Sequence, residues 1–164
     1  MNEASLTTLS ESGTSLLGHA IGTIALPGDV FLLSGELGTG KTCLIRGLAR
    51  GLGIEQSAFS PSFVLVREYK GRLTLYHMDF YRLDADAEIV DLGIDDYLNG
   101  DGVCAIEWAD RAAWLAPREN LKVELAYSED APDSRTVRLS ATGYRHERLL
   151  NELREVTLKD IQWN

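Results

Sequence analysis

One octapeptide constrains this chain more than any other feature: Gly35-Glu36-Leu37-Gly38-Thr39-Gly40-Lys41-Thr42. It fits the pattern G-x-x-x-x-G-K-[ST] at every fixed position. A polyphosphate needs many hydrogen-bond donors converging on a small volume. Backbone amides of a loop supply them only where no side chain blocks the approach, which calls for glycine. A helix starting at about Lys41 adds unpaired N–H groups and the positive end of its dipole. On this reading Glu36, Leu37, Gly38, Thr39, Gly40, Lys41 and Thr42 form the cradle, with Cys43 next in the helix counted alongside them. Lys41 sets an ammonium against the terminal phosphates. The Thr42 hydroxyl ligates Mg2+, a hard ion that prefers oxygen. The Cys43 thiol reads as a small packing group, with no nucleophile's partners in the sequence around it.

The loop has the setting it requires. The apolar run Val30-Phe31-Leu32-Leu33 before it suits a fully buried strand within 29–34, and 41–52 has helical spacing closed by Gly53. Elsewhere, 5–9 reads as a short strand, and Ser10 as the N-cap of a helix running to about Ala25. That helix places Leu16, Leu17, Ala20, Ile21 and Ile24 on one packed face. Segments 63–69 and 72–79 flank Lys70-Gly71 as a hairpin, and Asp84 caps a helix ending near Gly93. Strands are expected at 103–108, 121–127 and 135–141, with a closing helix over 145–156. Helices and apolar strands are intermixed with no linker long enough to divide them. The expected fold is therefore α/β, a single domain over 1–164 with a mixed, mostly parallel central sheet flanked by helices.

Phosphoryl chemistry also needs a carboxylate near the ion, usually where a neighbouring strand ends. Glu107 closes Val103-Cys104-Ala105-Ile106, and Asp79 closes Leu73-Thr74-Leu75-Tyr76-His77-Met78. Spacing alone does not rank the two. His77 shares a sheet face with Asp79 and reads as a hydrogen-bonded structural residue. Trp108 is either core or a flank of the site. Three scattered histidines and two cysteines, Cys43 and Cys104, make neither a zinc site nor a disulfide framework.

Charge narrows the partners. With 16 basic and 25 acidic residues the formal net charge is −9, a poor match for direct grip on RNA or DNA. Arg46 and Arg50, one helical turn apart, read as a solvated helix face. No apolar run is long enough to span a bilayer and no secretory leader is evident, so a cytoplasmic chain without membrane contact is expected. The Asn/Thr-Lys-x-Asp segment by which many GTPases read guanine is missing, since Asn120-Leu121-Lys122 has the wrong spacing. ATP is the nucleotide expected. Arg67, Arg72 and Arg82 are scattered rather than gathered into a lid.

With these residues in view, the chain resembles the TsaE (YjeE) family of bacterial tRNA-modification ATPases. The likeness covers nearly the whole chain. It rests on the order of the octapeptide, then Ser60-Pro61-Ser62-Phe63, then Tyr76-His77-Met78-Asp79-Phe80-Tyr81-Arg82-Leu83, then Ile106-Glu107-Trp108. Ser62 stands where the family usually carries threonine, and Ala109-Asp110-Arg111 is a loose match. The resemblance implies a subunit that binds and slowly hydrolyses ATP with Mg2+ and acts on the TsaD and TsaB proteins. Those proteins make the threonylcarbamoyl modification on the adenosine beside the anticodon, so tRNA is met only through the complex. It further implies that Thr42 and Glu107 hold Mg2+ and that Asp79 orders or activates the water, alongside Lys41. Thr14 would touch the nucleotide, and Ser60, Pro61, Ser62 and Phe63 would form a switch-like loop sensing the γ-phosphate. Two other readings fit a phosphate loop: a small-molecule kinase, and a nucleotide-gated binding module with negligible turnover.

Overall fold

Both faces of the β2 strand, Val30–Ser34, are covered, which is why its apolar run does not alternate with polar residues. The computed structural model describes residues 2–56, 65–83 and 86–164. The elements in order are β1 (Asn2–Thr8), α1 (Glu11–Ile24), β2, α2 (Lys41–Gly51), β3 (Val66–Tyr69) and β4 (Leu75–Asp79). There follow α3 (Asp86–Asp91), α4 (Ile94–Leu98), β5 (Val103–Glu107), a 3-10 segment (Ala109–Leu115), β6 (Asn120–Tyr127), β7 (Arg135–Thr142), α5 (Tyr144–Glu155) and β8 (Ile161–Trp163).

The described strands form one eight-stranded sheet in the order β3-β4-β5-β2-β6-β7-β1-β8. It is mixed, as expected, but not mostly parallel: three parallel ladders at the centre are flanked by four antiparallel ones, because β3 adds antiparallel to one edge and β7, β1 and β8 add antiparallel to the other. The ladders β4–β5, β5–β2 and β2–β6 run parallel. Antiparallel ladders join β3 to β4, β6 to β7, β7 to β1 and β1 to β8. From β2 the chain passes to β4, returns through β5 beside β2, then crosses to β6 on the other flank. That reversal opens a crevice at the carboxyl ends of β2 and β5, where ligands of such sheets bind.

One face carries α1, α2 and α5, whose Leu17, Ile21, Leu44, Leu48, Leu149 and Leu153 meet Phe31, Leu33, Val103 and Val123. The opposite face is covered by α3, α4 and the 3-10 segment around Val30, Leu32, Met78, Phe80 and Ile106.

Helix α1 starts as expected, with the Ser10 hydroxyl accepting from Gly13 N. Its buried stripe differs from the expected one. Leu16 is exposed, and the stripe instead includes Gly13, Thr14, Gly18 and Gly22. A Cβ on Gly18 or Gly22 would overlap the carbonyl of Leu44 or Leu48, and one on Gly47 or Gly51 would overlap that of Ser15 or His19. Reciprocal glycines one turn apart thus let α1 and α2 pack backbone to backbone. Counting apolar side chains does not register glycine as an interior residue. Arg50 is bonded to the Ser15 hydroxyl across this interface and is not merely solvated. Arg72 donates to the carbonyls of Gly22, Thr23 and Ala25, closing the end of α1.

Three elements have no counterpart in the sequence reading: α4, which follows Gly93 at φ 65°, the 3-10 segment, and β8. The first strand begins earlier than expected, at Asn2, because it pairs along its length with β7. The cap at Asp84 and the segment Ser60–Phe63 lie outside the described residues. No described helix is long and apolar enough to cross a membrane.

Candidate functional site

The octapeptide forms the turn between β2 and α2. Gly35, Gly38 and Gly40 take φ values of 141°, 81° and 105°, which side chains disfavour. Gly40 is the N-cap of α2 and offers no side chain to its first amides. The cap of α1 is satisfied by Ser10, whereas the N-terminus of α2 is left open to an external acceptor. Burial pushes the Lys41 ammonium below its ordinary pKa, with Glu107, Asp79 and Asp110 opposing. Its Nζ donates to Gly35 O at 2.7 Å and to Glu36 O at 2.9 Å, and lies 4.1 Å from the centre of the Trp108 ring. An ammonium resting on two loop carbonyls and an indole face can exchange either for a phosphate oxygen at little cost in geometry.

A carboxylate at the carboxyl end of β5 reaches the loop. Glu107 is 2% exposed, and its Oε1 accepts from the Thr42 hydroxyl at 2.7 Å. Asp79 is the register partner of Glu107 on β4 and lines the same cavity, its Oδ1 accepting from Tyr81 N at 2.9 Å. The two acids that spacing left unranked therefore differ in position. Glu107 reaches the hydroxyl of the loop, and Asp79 stands one strand further out.

His77 is completely buried, with Nε2 2.7 Å from Glu107 Oε2. It is hydrogen-bonded, as the sequence suggested, but its partner belongs to the site. Trp108 flanks the site. It sits at φ 57°, a left-handed conformation costing about 1–2 kcal/mol for a non-glycine residue, where the chain turns from β5 into the 3-10 segment. The Tyr81 ring packs against it, tilted by 42° with centroids 4.9 Å apart, and Arg111 lies 5.3 Å from the Tyr81 ring.

A cavity of about 280 Å³ is lined by Gly38, Lys41, Thr42, Asp79, Arg82 and Glu107, with Trp108 at its wall. A second, of about 260 Å³, lies across the loop against Thr14, Gly40, Cys43, Asp133 and Arg135. Thr14 is thus beside the loop, but its hydroxyl is 2.8 Å from that of Thr8 and turned away from Gly40. The β6–β7 hairpin braces the loop: Tyr127 donates to Leu37 O at 2.7 Å and Arg135 Nε to Thr39 O at 3.1 Å. The sequence reading missed both, because nothing local ties residues 127 and 135 to the loop. Of the arginines it named, Arg82 reaches the cavity. Cys43 is held by Glu11 O and burial raises its pKa, which suits a packing role. Burial pushes Cys104 up to about 12.

Among the described residues no three histidine, cysteine or carboxylate groups gather to hold an ion. A hydroxyl and one carboxylate at a phosphate loop suit Mg2+, which keeps several waters and takes phosphate oxygens besides one or two protein ligands.

The family described as "Threonylcarbamoyl adenosine biosynthesis protein TsaE" matches residues 8–137. This chain belongs to that family. A Bacillus subtilis relative, named tRNA threonylcarbamoyladenosine biosynthesis protein TsaE, is 40% identical over 93% of this chain and 95% of its own. A Treponema pallidum relative of the same name is 41% identical over 78% of this chain and 95% of its own. The crystal structure of YdiB from Bacillus subtilis superposes with a TM-score of 0.81 at 36% identity, over 93% of this chain and 95% of that one. The match to the TsaE family begins at Thr8, just before α1, and ends at Val137, early in β7, so it takes in the loop, both acids and the bracing residues Tyr127 and Arg135.

Proposed function

We propose that this chain is an ATP-binding, slowly hydrolysing subunit serving threonylcarbamoyl modification of the adenosine beside the anticodon in tRNA. It would act on the TsaD–TsaB pair and meet tRNA only through that complex. The observation that carries the nucleotide part is the 2.7 Å contact between Thr42 and Glu107 at the uncapped start of α2. A hydroxyl and a carboxylate meeting there have the chemistry for Mg2+, and Lys41 lies on the adjoining carbonyls. The tRNA part is supported by the names of the relatives.

In this reading the amides from Gly38 to Cys43 bind the phosphates and Lys41 offsets their charge. Thr42 and Glu107 would hold Mg2+, which when bound neutralises charge on the β- and γ-phosphates. Asp79, one strand outward, orients the attacking water. Trp108 and Tyr81 form one wall of the cavity. The net charge of −9 suits a subunit that does not itself grip tRNA.

The test measures phosphate release by this chain with Mg2+, alone and with TsaD and TsaB. Slow release that rises with the pair is expected. Absence of binding to the pair removes the tRNA reading, and transfer of label from ATP to a metabolite would replace it with a kinase.

A further inference from the structure

A histidine buried inside a sheet carries a desolvation cost that an aliphatic residue of similar volume avoids, unless its nitrogens are used. His77 projects from β4 onto the face that carries α2, as Leu75 does, and the residue opposite it on β5 is Ala105. The small Ala105 leaves room for the ring to lie along the sheet toward Glu107. The ring makes its contact through Nε2 to Glu107 Oε2 at 2.7 Å, while Nδ1 has no hydrogen-bond partner among the described residues. As the carboxylate that a cation requires, Glu107 only accepts, and the matching imidazole tautomer is the one that donates from Nε2. The two Glu107 oxygens are thereby divided: Oε2 to His77, Oε1 to the Thr42 hydroxyl.

We propose that His77 is a positioning residue for the divalent cation. It pins one oxygen of Glu107 so that the other is presented, in one orientation, beside Thr42. This rests on the nucleotide–magnesium reading given above. Without the imidazole, Glu107 has freedom to rotate, to offer both oxygens, or to draw in water behind it. Partners that orient a metal-binding side chain without touching the ion typically change metal affinity 10–100-fold when removed.

The test uses the full chain, a fluorescent ATP analogue, and two variants. In His77→Asn the shorter amide does not reach Glu107, whereas His77→Gln places an N–H near the position of Nε2. The quantity read is the ratio of nucleotide affinity in excess Mg2+ to that in EDTA. The ratio is expected to fall by about 10-fold or more in His77→Asn, with affinity in EDTA unchanged, and to return to within about 3-fold of the parent in His77→Gln. A parent protein with no such ratio would remove the nucleotide–magnesium reading itself, and this assignment with it. A parent that shows the ratio and a folded His77→Asn that keeps it overturns the His77 assignment alone. Should His77→Asn fail to fold, His77→Gln decides: folded with the ratio retained supports the assignment. Folded without the ratio, or unfolded although the donor is retained, it refutes the assignment.

Discussion

The Thr42 hydroxyl on the first turn of α2 donates to Glu107 at the end of β5, 2.7 Å away and 65 residues later in the chain. In Glu107→Gln the hydrogen bond to Thr42 has a carbonyl acceptor in place of the carboxylate, and the charge a cation needs is gone. ATP affinity in Mg2+ should fall by about 10-fold or more, a loss in the range of one charge-assisted contact. Affinity in EDTA should hold or rise, because a negative charge has left the phosphate site. Calorimetric titration with and without Mg2+ checks this, and an unchanged magnesium dependence would mean that the metal is held elsewhere.

Lys41 rests on the carbonyls of Gly35 and Glu36. Replacing it with alanine frees those acceptors and removes the cation that the proposed function sets against the phosphates. Triphosphate binding should weaken by about 10- to 100-fold, the equivalent of about 1.5–3 kcal/mol for hydrogen bonds to a charged group. ATP should lose more than AMP in the same titration. Equal losses for both would place the ammonium away from the terminal phosphates.

Asp79 lines the cavity beside Glu107, one strand further from the loop, and accepts from Tyr81 N. Asp79→Asn should therefore lower turnover more than nucleotide affinity, by about 10²-fold or more if the carboxylate serves as general base. Single-turnover phosphate release against analogue binding separates the two effects. A loss confined to binding would make Asp79 a ligand-holding group instead.

Gly18 faces the Leu44 carbonyl and Gly47 faces the Ser15 carbonyl across the α1–α2 contact. Alanine in an exposed helix interior would stabilise by up to about 1 kcal/mol over glycine. Here the added methyl meets backbone, which cannot rotate away. Gly18→Ala or Gly47→Ala should destabilise by about 1–3 kcal/mol, an overpacking cost, and shift the urea midpoint downward. A gain in stability would show that the helices can separate without loss.

His146 is buried where α5 meets the turn before β2, and its Nε2 accepts from Val30 N at 3.2 Å. Burial lowers its pKa from 6.5, outweighing the opposing pull of Asp29. The folded chain therefore binds fewer protons than the unfolded chain just below pH 6.5. Stability should be full above that value and decline as pH falls through it toward the lowered folded value. Protonating Nε2 also removes the acceptor for Val30. Urea midpoints measured between about pH 5 and pH 8 should show this slope, and His146→Gln should flatten it.

The octapeptide, the strand before it, the helix after it and the cap at Ser10 were legible because each depends on residues within a few positions of one another. Turn chemistry, helix spacing and the demand for glycine act locally. The candidate acids were legible as strand-end carboxylates for the same reason. Their ranking was not, because it turns on β5 lying beside β2 while β4 lies one strand further away. The same holds for His77, whose partner sits 30 residues downstream, and for Tyr127 and Arg135, which meet the loop only once the β6–β7 hairpin folds over it. Strand order is set by which faces can be buried together, a property of the whole sheet. What the sequence determined alone is a glycine-rich loop that leads from a buried strand into a helix whose first amides no side chain caps. The tertiary structure decided which carboxylate, which histidine and which aromatic ring stand around it, since those distances are closed by packing between elements far apart in the chain.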